Sequence, residues 1–212
     1  MDSSTSPLAL LKDPSLLKTD ALINGEWVGA NSRFEVTDPA TGQKLADVAN
    51  HGPESAYHAI VAANKAWPIW RAKTAKERAT ILMKWFQLLQ ANADDLARLM
   101  TAEQGKPLAE AKGEVGYGAS FLEWFAEEGK RVYGETIPTT DNNKRYLVIK
   151  QPIGVCVAGL TTTGQPAARA GAHLRVIIAL GKFQGVIAAT TPIGSLVTTM
   201  RLSAWWPGMT SP

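Results

Sequence analysis

RYLVIKQPIGVCVA, residues 145–158, sets the fold class of this chain. Tyr146 and Val148 alternate in the manner of an exposed strand, and residues 152–158 then form a continuous apolar run. Runs of that kind are buried on both faces in parallel sheets. The residues upstream carry helical period, so the order is helices first and a buried strand after. That order predicts entry into an α/β domain. A βαβ unit also needs a crossover helix and a second strand, and the residues beyond 158 supply no convincing pair.

Working back from that strand, Pro107 suits the first turn of a helix running to about Lys130, with Phe121, Leu122, Trp124 and Phe125 as its apolar load. The helix before it opens at Asp94 or Asp95, carries Leu96, Leu99 and Met100, and stops at Gly105. Thr74-Ala75-Lys76-Glu77 has the spacing of a capping box, in which hydroxyl and carboxylate each satisfy a free amide. Ile81, Leu82, Trp85, Phe86, Leu88 and Leu89 follow as a broad stripe. A further helix spans Glu54 to Trp67, with Ala56, Ala59, Ile60, Ala63 and Trp67 on one face. Residues 21–28, ALINGEWV, read as two short strands about an Asn-Gly turn, and Asp38-Pro39-Ala40-Thr41-Gly42 as a second turn.

Composition narrows the class. The chain has 212 residues, 45% of them hydrophobic and 19% charged, which suits a folded domain rather than a disordered segment. Cys156 is the only cysteine, so no intrachain disulfide forms and a reducing compartment is expected. The opening residues have neither a basic start nor a long apolar run, and Lys182 and Gln184 interrupt the apolar stretch 176–189. No membrane anchor is expected, and the cytoplasm is the expected location. Arg169, Arg175, Lys182 and Arg201 are the only charges after residue 158. Four scattered cations make no nucleic-acid patch, but they mark a change of composition there.

Residue by residue, little chemistry stands out. His51, His58 and His173 lack partners at metal-ligand spacing, so no metal site is expected. Glu103-Gln104-Gly105-Lys106-Pro107 has the look of a functional loop, yet a helix–turn–helix joint accounts for its Gly and Pro at about four to one. Glu127-Glu128 with Lys130-Arg131 reads as a solvated helix end. Trp67, Trp70, Trp85 and Trp124 read as core rather than a ligand cage. Thr161-Thr162-Thr163-Gly164 lacks the glycine spacing and lysine of phosphate loops. A thiol within an apolar run, as at Cys156, is normally inert.

Longer stretches say more. INGEW (23–27), DPATG (38–42), LARLMTAEQGKPLAEAKGEV (96–115), FLEWFAEEGKRVYGETIP (121–138) and QPIGVCVA (151–158) closely resemble the aldehyde dehydrogenase superfamily. The pair EQGKPLAEAKGE and EWFAEEGKRVYGETIP is similar in particular to the bacterial succinate-semialdehyde dehydrogenases. The resemblance covers about residues 20–158, behind an N-terminal extension of 1–20. It implies the N-terminal part of that fold: helices, a hairpin around 144–150 and the first strand of an incomplete Rossmann-like sheet, ending in a poorly defined tail.

The family reaction is thiolate attack on an aldehyde, hydride transfer to NAD or NADP, then thioester hydrolysis. An asparagine holds the oxyanion and a glutamate is the base. In the family QPIGVCVA continues as ITPWNFP, which brings that asparagine, but here it continues as GLTTT. The resemblance therefore carries no catalytic, cofactor-binding or metal-binding role onto any residue. At most, the helix bearing Trp124 and Phe125 resembles one flanking the substrate tunnel. We expect a truncated NAD(P)-dependent succinate-semialdehyde dehydrogenase, inactive alone and not binding the nucleotide. The alternative is a non-catalytic module that associates with full-length aldehyde dehydrogenase subunits.

Residues 159–212 are expected to form a non-family tail. Read on the opposite DNA strand in one frame, Gly becomes Pro, Thr becomes Val and Val becomes Thr. Gly194 back to Gly181 then spells PIGVVAAITPWNFP, the missing motif. An antisense origin for the tail is therefore expected, and a sequence not selected as protein has no reason to bury its apolar residues consistently.

Overall fold

The computed structural model describes residues 7–152 together with Gly154 and Val155. Four helices and three two-stranded antiparallel sheets make up this part. β1 (Ala21–Ile23) pairs with β2 (Glu26–Val28). Asn24 and Gly25 both have positive φ, 53° and 83°, as the tight turn between twisted strands requires. β3 (Arg33–Thr37) pairs with β4 (Lys44–Ala49), with a shift of register between Val36 and Thr37. Asp38 closes their turn by accepting from Ala40 N at 2.8 Å, and Gly42 takes φ 71°. The sequence reading found the turn but not these strands. The register shift is one reason, since it interrupts the alternation that marks a strand.

α1 (Pro53–Ala72) runs past the expected end at Trp67 and continues through Pro68 to Ala72. α2 (Ala75–Ala91) opens on the capping box as expected. Glu77 N donates to Thr74 Oγ1 at 3.3 Å, and Thr74 N donates to Glu77 Oε2 at 2.7 Å. Bonds from Thr74 to Glu77 hold its carboxyl below the usual range. The sign follows: a carboxyl with depressed pKa adds stability above its ordinary value, lost as pH falls through the folded one. Thr74→Ala should lower stability by about 1 kcal/mol at neutral pH, and the deficit should shrink on acidification, read from thermal melts across pH. A deficit that does not change with pH would remove the Glu77 half of this account.

α3 (Ala93–Gln104) starts one residue ahead of the expectation, and Asp94 and Asp95 occupy its first turn rather than capping it. Asn92 closes α2 and opens α3 at once, so no residue is left over for a separate cap. Gly105 ends α3 in the left-handed conformation, φ 71°. α4 (Leu108–Glu128) begins just after Pro107, which sits at the N-cap rather than inside the first turn.

The core lies where α4 packs against α2 and α3. Leu89, Leu96, Ala97, Leu99, Met100, Ala111, Val115, Ala119 and Leu122 fill it. Leu11 is buried in the same cluster, with Leu8, Leu16 and Leu17 against it, so the N-terminal extension is stitched into the body. Asp95 Oδ2 accepts from Asp13 N at 2.8 Å, and Asp13 in turn caps a short 3-10 turn at Pro14–Leu16. Val36 and Val48 form a smaller core between β3 and β4.

Four expectations need correction. Trp124 is 63% exposed and Trp67 and Trp70 are only half-buried outside the main core, whereas Trp85, also half-buried, packs against it as expected. Helices whose buried positions are largely Ala, Leu and Val leave little room for indoles between them. Ile60 and Leu88, placed on apolar faces by period, are exposed. The hairpin expected around 144–150 is formed by β5 (Glu135–Ile137) and β6 (Tyr146–Val148), so it begins well upstream of that range. Gln151, Pro152, Gly154 and Val155 are not in a strand. The remainder of the expected buried strand, with Cys156 and the whole tail, lies outside the described residues.

Candidate functional site

α4 positions the two residues singled out for a substrate tunnel. Val115, Ala119, Leu122 and Ala126 recur at three- and four-residue spacing and bury one side of the helix. That fixes the opposite side outward. Tyr117 and Phe121, one turn apart, meet edge to face at 5.0 Å with their planes at 85°. Trp124 continues the same outer side and is exposed, whereas Phe125, about 100° further round, is half-buried. The side therefore offers an aromatic strip of Tyr117, Phe121 and Trp124, with Phe125 at its edge. Such a strip can line an apolar passage; the Tyr117 hydroxyl is its one ionisable side-chain group.

Several polar residues tie elements of the fold together. His51 bridges Ser55 Oγ at 2.9 Å and Val28 O at 3.0 Å, tying α1 to β2. His58 faces Glu54 one turn away. Among the described residues, no group of three His, Cys, Asp or Glu stands close enough to hold a metal. In the EQGKP loop, Glu103 is 1% exposed at the end of α3, Lys106 pairs with Glu114 of α4, and Gly105 makes the turn. The loop is a helix–turn–helix joint, as its Gly and Pro suggested. Lys130 pairs with Glu127 at 3.0 Å and Arg131 with Glu128 at 2.5 Å, a solvated helix end. Lys112 and Lys12 hold the Asp94 carboxyl below its usual range, bracing α3 against α4 and the N-terminal segment. No helix among the described residues is long and apolar enough to cross a membrane.

Comparison with known proteins places this arrangement. The sequence model described as the aldehyde dehydrogenase family matches residues 27–181, running past the composition change at 158. The chain is 60% identical over 160 residues to succinate-semialdehyde dehydrogenase [NADP(+)] of Escherichia coli, covering 74% of this chain and 33% of that enzyme. It is 45% identical over 219 aligned positions to 3-sulfolactaldehyde dehydrogenase of Pseudomonas putida, covering 89% of this chain and 45% of the relative. Among solved structures it is similar to succinate-semialdehyde dehydrogenase from Burkholderia pseudomallei, at 61% identity and TM-score 0.67, covering 69% of this chain and 31% of that one. The chain thus spans about a third to under a half of the relatives it matches. Its described part is an N-terminal portion of their fold. By sequence match and by fold, the chain belongs to the aldehyde dehydrogenase family.

Proposed function

We propose that this chain is the N-terminal portion of an NAD(P)-dependent dehydrogenase that oxidises succinic semialdehyde or a similar short semialdehyde in the cytoplasm. The observation that carries this is 60% identity to the E. coli succinate-semialdehyde enzyme across the helices, caps and hairpins described above. In that role the portion supplies scaffold, and the aromatic strip of Tyr117, Phe121 and Trp124 flanks the aldehyde passage. The thiolate, the base and the oxyanion asparagine of the family reaction have no counterpart among residues 1–158. The 212-residue polypeptide alone should therefore give no NAD or NADP reduction with succinic semialdehyde above a no-protein blank. Turnover that tracks the purified chain would overturn that inactivity.

A second reading is favoured by the β5–β6 hairpin. All six strand residues are exposed, Leu147 at 66%. An isolated ribbon with open edges is a template for strand addition, so the chain would join full-length dehydrogenase subunits without contributing catalysis. Failure of the tagged chain to co-purify with an intact relative would sink this reading. An antisense origin of residues 159–212 is likewise a proposal, supported by the reverse-strand motif. Sequencing codons 150–212 and beyond on both strands tests it; an opposite strand without an open PWNFP-encoding frame refutes it.

A further inference from the structure

We draw no further inference here: the strongest candidate, the side-chain cluster of Asp95, Arg98 and Thr101 along α3, whose Oδ1, Nε and Oγ1 atoms are buried without a hydrogen-bond partner among the described residues, carries nothing because nothing in the structure shows what group these atoms would meet.

Discussion

Leu99→Ala should lower the unfolding free energy by about 2–5 kcal/mol, the range for emptying a well-packed leucine site. Leu99 has no exposed surface and sits on α3 among Leu96, Met100, Val115 and Leu122, in the cluster formed as α4 packs on α2 and α3. The loss has two parts. One is the transfer of the removed methyl and methylene groups back to water, at about 0.8 kcal/mol per buried methylene. The other is the void, which helices braced by the Asp94 pairs with Lys112 and Lys12 cannot readily collapse around. Leu88→Ala is the matched control. Leu88 is 41% exposed on α2, and the same deletion there should cost well under half as much. Urea melts of the three proteins give the comparison. Equal midpoints for the two variants would mean that Leu99 is not at the centre of this core.

The contrast between these two leucines shows what the sequence could and could not disclose. Period alone puts Leu88 and Leu99 on apolar faces, and both were read as such. Only the assembled helices distinguish a position facing two neighbours from one facing water. Local chemistry was more legible. Asn24-Gly25, the Thr74–Glu77 box and Gly105 each specify backbone geometry within a few residues, and each appears where its residues predicted. Features that depend on distant partners were not. Leu11 reaches a core built from residues far along the chain, and nothing within 1–20 announces it. β5 finds β6 across a connection too long to read as a tight hairpin. The candidate strip on α4 was half visible: Trp124 and Phe125 were named for their likeness to a family helix. Tyr117 and Phe121 join Trp124 only once the buried side of α4 is known.

Gly105→Ala should destabilise the chain by more than about 2 kcal/mol, even though it adds a single methyl group. Two costs combine. Gly105 has φ 71°, and a left-handed conformation costs an L-residue with a Cβ about 1–2 kcal/mol. The new Cβ would also lie 2.9 Å from Cγ of Pro39. Pro39 has little freedom to yield, since its turn is held by Asp38 N to Gln43 O at 2.9 Å, Gly42 N to Asp38 O at 2.7 Å and Ala40 N to Asp38 Oδ1 at 2.8 Å. The methyl group must therefore push α3 away from the β3–β4 turn, or the helix must end differently. Gly113→Ala should change stability in the opposite direction. Gly113 lies within α4, exposed, with nothing within 4 Å of a Cβ placed there. Replacing it removes the entropy penalty of glycine in a helix and should add about 0.5–1 kcal/mol. Parallel melts of the two variants make one sequence change report on two backbone environments. If Gly105→Ala melts with the parent while Gly113→Ala shifts upward, the joint between α3 and α4 is looser than its geometry requires. Opposite shifts would establish that the EQGKP loop keeps its glycine for the turn and its close fit to Pro39, with no catalytic demand needed to account for it.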